Sequence, residues 1–204
     1  MKILTVDFDI IMAPCIKLYN NMCAGNANST ELWNSIESRI EVDKFLCYDY
    51  NTLHSIAMLM KKSINNGAEF IKIDEHDKII SKLIPRYKDE KFDITNIDFH
   101  HDIAYNKDSI NDIKNFDKYT CGNWVAYLHL KEYLDKYTWV KASNSDMCDP
   151  GIKSAIGIDY NIINKRDIDK IEPVFDQIYF CLSPQWVPYK YHHLYDLIAD
   201  MLEV

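Results

Sequence analysis

Hydrophobic residues recur along the chain in short runs with the spacing of strands and helices in turn. Residues 2–11 form a nearly continuous apolar run, which predicts a buried first strand. Shorter runs predict further strands at residues 69–73, 94–99, 138–142 and 175–182. Each run is too short to be mistaken for a long buried helix, so strands are favoured.

Helical spacing of apolar residues fills the intervals between these strands. It predicts helices over residues 50–65, 79–83, 123–137 and 193–202, and a further helix that Ser29 or Thr30 caps and that runs through Ile40. Strands that alternate with helices imply βαβ units and a mainly parallel sheet. We therefore expect an α/β fold with three αβα layers, forming one domain over residues 1–204.

Composition fits a single globular domain. The 204 residues are 48% hydrophobic and 26% charged, with only 5 Gly and 6 Pro, which argues against a disordered or fibrous chain. No apolar run approaches the roughly 18 residues of a membrane helix. Asp7 and Asp9 interrupt the first apolar stretch too early for a signal peptide. We expect a cytoplasmic protein without a membrane partner.

Charge and cysteine content further restrict the classes of binding partner and of site that we expect. The formal net charge of −8 argues against nucleic acid, because neutralising phosphates needs a clustered basic surface. An acidic balance suits metal ions or a cationic substrate. The 6 cysteines contain no C-x-x-C pair, so we expect reduced thiols and neither a disulfide framework nor a zinc site.

Three predicted strands end in acidic or imidazole side chains. The three segments are Val6-Asp7-Phe8-Asp9, Ile73-Asp74-Glu75-His76-Asp77 and Ile97-Asp98-Phe99-His100-His101-Asp102. Alternate residues of an extended segment share a face, so Asp98, His100 and Asp102 should point one way and His101 the other. In parallel α/β sheets, ligands bind beyond the carboxyl ends of the strands. We expect the three segments to surround one cavity there.

Divalent cations are the simplest reason to gather so many carboxylates at one edge. Without them, repulsion and desolvation would cost several kcal/mol. Carboxylates and imidazoles without a thiolate favour an ion such as Mn²⁺ over zinc, and two ions about 3.5–4 Å apart can share bridging carboxylates. Each motif alone also has an ordinary structural interpretation: Asp7 and Asp9 as a solvated loop start, Asp74 and Asp77 as favourable charges at a helix start. The three together favour a metal site.

The same motifs resemble those of the arginase (ureohydrolase) family. Residues 98–102 resemble its D-A-H-x-D motif, residues 6–9 its S-x-D-x-D and residues 74–76 its G-G-D-H. The resemblance implies two Mn²⁺ ions. One would be bound by His76, Asp98, Asp102 and Asp7, and the other by His100, Asp98, Asp7 and Asp9, with Asp98 and Asp7 bridging.

The order of the motifs differs from that family, in which the D-x-D strand comes last. Here it opens the chain, which resembles a circular permutation. Cys121-Gly122-Asn123-Trp124 resembles the S-G-N-x-H-G loop only in part, because Val125 replaces its histidine. The chain is most similar to the peptide arginases. That resemblance implies hydrolysis of arginine residues in a ribosomally made precursor peptide, a RiPP modification that yields ornithine and urea.

Further roles follow from position within these motifs. Glu75 is a candidate to hold the guanidinium, His101 a candidate proton shuttle, and Asn123, Trp124 and Trp186 candidate substrate contacts. Four alternatives stay open: a small-molecule ureohydrolase acting on arginine or agmatine, an arginase-fold amidohydrolase or deacetylase, a D-x-D phosphoesterase, and a catalytically inactive metal- or partner-binding module. The phosphoesterase leaves the motif at residues 98–102 unexplained. Nothing in the sequence indicates the oligomeric state.

Overall fold

A six-stranded, all-parallel sheet forms the middle layer of the protein, in the order β2-β6-β1-β3-β4-β5. The computed structural model describes residues 1–12, 29–37 and 48–203. The strands are β1 (Lys2–Asp7), β2 (Glu69–Ile73), β3 (Phe92–Ile97), β4 (Leu134–Lys141), β5 (Asn161–Asn164) and β6 (Gln177–Cys181). The predicted α/β class with three layers is confirmed.

Helices flank this sheet. Those of the described residues are α1 (Ser29–Glu37), α2 (Tyr50–Asn65), α3 (Lys78–Leu83), α4 (Lys107–Phe116), α5 (Trp124–Leu130), α6 (Pro150–Ile156) and α7 (His192–Leu202). Short 3-10 segments cover Phe8–Met12, Lys165–Lys170 and Tyr189–Tyr191. Within the same described residues, no helix is both long and apolar enough to cross a membrane. Ile40 and the cysteines at 15, 23 and 47 lie outside them.

Two hydrophobic cores lie on opposite faces of the sheet, as the alternation of strand side chains requires. Leu4 and Val6 of β1 belong to the first core, with side chains from α1, α2 and α7. Ile3 of the same strand belongs to the second, with side chains from α3, α4, α5 and α6. The central strand β1 is therefore buried on both faces, which explains its continuous apolar sequence.

The structure corrects the bounds of two predicted elements and adds three elements. The first strand stops at Asp7, where the chain enters the 3-10 segment, rather than at residue 11. The helix predicted over residues 123–137 ends at Leu130, since Glu132 adopts a left-handed φ of 63° and β4 already begins at Leu134. Helices α4 and α6 and strand β5 were not predicted, because β5 is a short edge strand and both helices begin in polar loop sequence.

Candidate metal centre

The carboxyl edge of the sheet brings the three acidic motifs together around the end of β1. Among the described residues, three groups of side chains could hold an ion, each with one donor atom per residue within 4.8 Å of the others. The groups are His76–Asp98–Asp102, Asp9–Asp98–His100 and Asp7–His76–Cys181. All six metal ligands predicted from the sequence belong to these groups. Asp98 is common to the first two, which is the arrangement that two neighbouring ions require.

His76 presents one ring nitrogen to carboxylates and anchors the other. Its Nδ1 lies 3.1 Å from Oδ2 of Asp98, 3.1 Å from Oδ2 of Asp102 and 3.3 Å from Oδ2 of Asp7. Its Nε2 is 2.5 Å from the Thr5 hydroxyl. Histidines that bind metals commonly hydrogen-bond through the second nitrogen, which fixes the orientation of the ring. His76, only 1% exposed, has this arrangement.

The Asp9–Asp98–His100 group lies beside the first. Nδ1 of His100 is 2.9 Å from Oδ2 of Asp9 and 3.8 Å from Oδ1 of Asp98. The backbone N–H of His100 donates to Oδ1 of Asp98 at 2.7 Å, and that of Phe99 donates to Oδ1 of Asp9 at 3.3 Å. These bonds turn the second carboxylate oxygen of Asp9 toward the imidazole.

Two buried polar atoms at the centre have no hydrogen-bond partner among the described residues. They are Oδ2 of Asp9 and Nδ1 of His76. Both have polar atoms within 2.9–3.3 Å, but those contacts lack hydrogen-bond geometry. An unpaired buried polar atom costs about 1–3 kcal/mol. Donor atoms that converge without bonding one another suit a shared cation, so the residues fit a divalent metal pair.

Electrostatics in the metal-free protein reflect this crowding. Burial and the neighbouring carboxylates raise the pKa of Asp7 and of Asp9. Burial and Asp98 raise the pKa of Asp102 to about 7. Burial opposes ionisation of Asp98 as well, but the imidazole of His76, 3.1 Å away, holds the pKa of Asp98 at about 2. These carboxyl groups cannot all ionise without cations, which the two imidazoles supply in the metal-free state.

The pKa values of His76 and His100 are also raised, because carboxylates lie next to both rings. Burial by itself would lower the pKa of His100, yet the charge of Asp9 raises it to about 10. Burial likewise opposes protonation of His76, but the carboxylates of Asp102, Asp98 and Asp7, all within 3.3 Å of its Nδ1, raise its pKa well above the ordinary value. Both histidines are therefore protonated at neutral pH, and a metal ion bound at these nitrogens would displace the protons.

Surrounding residues hold the carboxylates in place. The hydroxyl of Ser183 donates a short hydrogen bond to Oδ2 of Asp7. The indole N–H of Trp139 donates to the Asp98 carbonyl at 3.0 Å. Asp102 and Ser183 both adopt the left-handed backbone region, with φ of 51° and 49°, which is uncommon for residues other than glycine. Backbone strain at two positions of one site is typical of a functional constraint.

A small cavity of about 60 Å³ opens onto the candidate metal ligands. Its lining consists of Asp7, His76, His100, Asp102, Tyr105, Cys121, Gly122, Ser183 and Trp186. Trp186 lies against the His100 ring, with centroids 4.7 Å apart. A Cβ on Gly122 would lie 3.3 Å from the Tyr105 ring, so glycine leaves this entrance open.

A larger cleft, of about 500 Å³, lies beside the outer strands near the Asp49–Lys165 ion pair. Size alone would favour the larger cleft as the active site. We place the chemistry at the small cavity, because residues of all three candidate ligand groups line it.

The residues predicted to contact substrate lie in different environments. Trp186 lines the cavity, and Glu75 lies beside it in a small pocket with Cys121 and Ser183. Trp124 is 0% exposed and Asn123 is 3% exposed, and neither lines the cavity. This burial disfavours their role as substrate contacts, which stays a prediction. The Asn123 side chain instead accepts from the Thr120 N–H at 2.7 Å and closes a turn.

His101 is buried away from the cavity lining. Its Nδ1 accepts the Ile103 N–H at 3.1 Å, and its ring stacks on Tyr105 with centroids 4.5 Å apart. Burial and the positive charge of His100 lower its pKa to about 4. Alternation along the predicted strand placed His101 on the face opposite the ligands. In the structure, too, its side chain lies away from the cavity lining. This environment disfavours the proton-shuttle role, which stays a prediction.

Sequence reasoning missed Cys181, Ser183 and Tyr105. Cys181 is paired in register with Asp7 on the adjacent strand and joins Asp7 and His76 as a third candidate group. A sulfur atom therefore lies among the candidate metal donors. Burial raises the pKa of the Cys181 thiol well above its ordinary value. In the sequence, the one feature that could have pointed to these residues was the polar Ser183, which directly follows the predicted strand over residues 175–182.

Comparisons with family models, with curated proteins and with solved structures find no match to this chain. The candidate site therefore rests on the geometry of the described residues alone, and the arginase relationship remains a resemblance of motifs.

Proposed function

We propose that the protein is a dinuclear metal hydrolase that binds two Mn²⁺ ions and acts on a guanidino group. The observation that supports this best is the sharing of Asp98 between two Asp/His groups, in which Asp9 and His76 present unpaired donor atoms. Oxygen and imidazole donors suit Mn²⁺, and the neutral buried thiol of Cys181 contributes less to such an ion.

Metal pairs of this kind lower the pKa of bound water and polarise the substrate. The side chains around the site would orient the metal ligands and the substrate. Thr5 fixes the ring of His76, and Ser183 fixes the carboxylate of Asp7. Trp186 and Tyr105 line the cavity next to His100 and would restrict its entrance. Glu75, at the neighbouring pocket, is the proposed partner of the guanidinium, since planar donors pair well with carboxylates.

The cavity supports a substrate whose reactive group is small and whose remainder stays outside. Its volume of about 60 Å³ suits a planar head group and little more. Aromatic side chains at the entrance favour a planar cation. We propose that the substrate is an arginine residue within a precursor peptide, which would be converted to ornithine with release of urea. The proposed compartment is the cytoplasm, consistent with free thiols at Cys121, Cys148 and Cys181.

The test combines metal analysis with a urea assay. The purified protein should contain two Mn²⁺ ions per chain after reconstitution, and urea should form faster, by kcat/KM, from an arginine-containing peptide than from free arginine or agmatine. Each additional contact to the peptide that stabilises the transition state by about 1.4 kcal/mol would raise kcat/KM about tenfold. The control is the same protein stripped of metal.

Three of the four alternatives give distinct results once N-acetylated compounds are added to the substrates tested. Preference for free arginine or agmatine would replace the peptide proposal with a small-molecule ureohydrolase. Release of acetate or ammonia without urea would indicate a deacetylase or another amidohydrolase. Two bound ions without turnover of any guanidino compound would indicate a metal- or partner-binding module.

A further inference from the structure

Trp124 contacts two members of one candidate ligand group. It is the first residue of α5 and is fully buried. Its indole N–H donates to Oδ2 of Asp102 at 2.7 Å, and its ring lies 5.3 Å from the His76 ring with a tilt of 45°. One side chain therefore touches both a carboxylate and an imidazole of the His76–Asp98–Asp102 group.

The backbone of the same helix holds Asp102 a second time. The N–H of Val125 donates to the Asp102 carbonyl at 3.1 Å. Asp102 has the left-handed φ of 51°, a conformation that persists only where the surroundings enforce it. The start of α5 thus fixes both the backbone and the carboxylate of this residue. Without the indole bond, the carboxylate would keep its backbone anchor but lose the contact that sets its rotation.

The Asp9–Asp98–His100 group is supported differently. The His100 side chain is 14% exposed and adjoins the aromatic residues of the cavity, with the Trp186 ring 4.7 Å and the Tyr105 ring 6.4 Å away. The contacts that orient Asp9 come from the backbone of Phe99 and from His100 itself. The two groups share Asp98 but are held by different parts of the protein.

We propose that Trp124 is a positioning residue for one metal position only, the one formed by His76, Asp98 and Asp102. A neighbour that hydrogen-bonds a ligand directs the remaining lone pairs of that ligand to the ion, and losing it typically weakens binding about 10–100-fold. Removing the indole N–H should therefore weaken one of the two Mn²⁺ ions selectively. The inference rests on the metal binding in the proposed function but not on hydrolysis.

The experiment titrates Mn²⁺ into metal-free protein and follows binding by calorimetry and electron paramagnetic resonance. Wild-type protein should bind two ions and show the signal of an exchange-coupled pair. Trp124→Phe should bind one ion with affinity within about threefold of wild type and the second about 10–100-fold more weakly. At one to two equivalents it should show the six-line signal of an isolated Mn²⁺ ion.

Two further proteins control for packing. Replacing Trp124 with 3-benzothienylalanine keeps the shape of the ring and exchanges only the N–H for sulfur, so it should reproduce the selective loss with an intact fold. Trp33→Phe removes another buried indole, whose N–H donates to the Pro184 carbonyl at 2.9 Å instead of to a ligand. This variant should retain the coupled pair.

The possible outcomes separate this inference from the proposed function. Wild-type protein that fails to bind two Mn²⁺ ions would overturn both. Two ions in wild type, with unchanged binding in the Trp124→Phe and benzothienylalanine proteins, would overturn the positioning role alone. Equal weakening of both ions in the benzothienylalanine protein would also overturn it, because Trp124 would then support the whole centre.

Discussion

Replacing Asp98 with asparagine is the most direct test of the shared-ligand geometry. The Asp98 carboxylate is fully buried, with Oδ2 3.1 Å from Nδ1 of His76 and Oδ1 3.8 Å from Nδ1 of His100. Asparagine keeps the shape and the acceptor oxygen but removes the charge that both ions would share. Asp98→Asn should therefore lose both ions and the hydrolytic activity, whereas loss of an unshared ligand should affect one ion first.

The magnitude follows from linkage between binding and folding. An ion present at 100 times its dissociation constant stabilises the native state by about 2.7 kcal/mol. Two such ions contribute about 5 kcal/mol, and for a chain of this size each kcal/mol raises the melting temperature by about 2–4 °C. Mn²⁺ should thus raise the melting temperature of the wild-type protein by about 10–20 °C.

Thermal unfolding with and without Mn²⁺ measures this difference within each variant. That comparison removes any effect of Asp98→Asn on the metal-free fold, including the 2.7 Å hydrogen bond from the His100 N–H. The Mn²⁺-induced rise should fall to near zero in Asp98→Asn. Asp74→Asn is the matched control, because Asp74 is an exposed carboxylate at the end of β2, outside the ligand groups of the described residues. A full rise in Asp98→Asn, with two ions by elemental analysis, would refute the shared-ligand assignment.

Three further outcomes are expected. Ser183→Ala removes the hydrogen bond to Asp7 and should weaken Mn²⁺ binding about tenfold by calorimetry; unchanged affinity would contradict this role. Gly122→Ala places a Cβ 3.3 Å from the Tyr105 ring and should raise the KM for the peptide several-fold, while the metal content stays constant. An unchanged KM would argue that the substrate does not enter beside Gly122. Because His100 has a pKa of about 10 in the metal-free protein, Mn²⁺ must displace a proton, so affinity should rise about tenfold per pH unit per proton released between pH 6 and 8. Calorimetry in buffers of different ionisation heat should detect that proton, and pH-independent binding would contradict the prediction.

The parts of the fold that sequence predicted well are those in which local and tertiary signals agree. Helix α2 has regular apolar spacing and a capping aspartate, Asp49, which accepts the Thr52 N–H, and it was predicted to the residue. The second strand was equally clear. Around Lys131 and Glu132 the signals conflict, because apolar residues continue at helical spacing past the turn. The left-handed Glu132 ends the helix there, and periodicity carries no information about that backbone angle.

The structure brings the six predicted ligands together, although part of the local reasoning behind their placement was wrong. Alternation along an extended strand was the argument for placing Asp98 with His100 and Asp102. In the structure the chain leaves the sheet at Asp7 and at Ile97, and the later ligands come from a 3-10 segment and a bent loop. Asp9 reaches the centre because its N–H turns back to Oδ1 of Asp7 at 3.1 Å. The shared strand edge, more than the alternation, determines the site.

Parallel pairing also explains why the order of motifs along the chain matters little for the chemistry. The register pairs Val6 with Ile97 and Asp7 with Cys181, so the ends of β3, β1 and β6 meet at one edge wherever each strand occurs in the sequence. A permuted chain can therefore build the same ligand set, provided that neighbouring strands remain neighbours in the sheet. By this argument the geometry supports the metal pair independently of family membership. The guanidino substrate depends on the motif resemblance and on a small, aromatic-walled cavity, so metal content and urea release test two separate inferences.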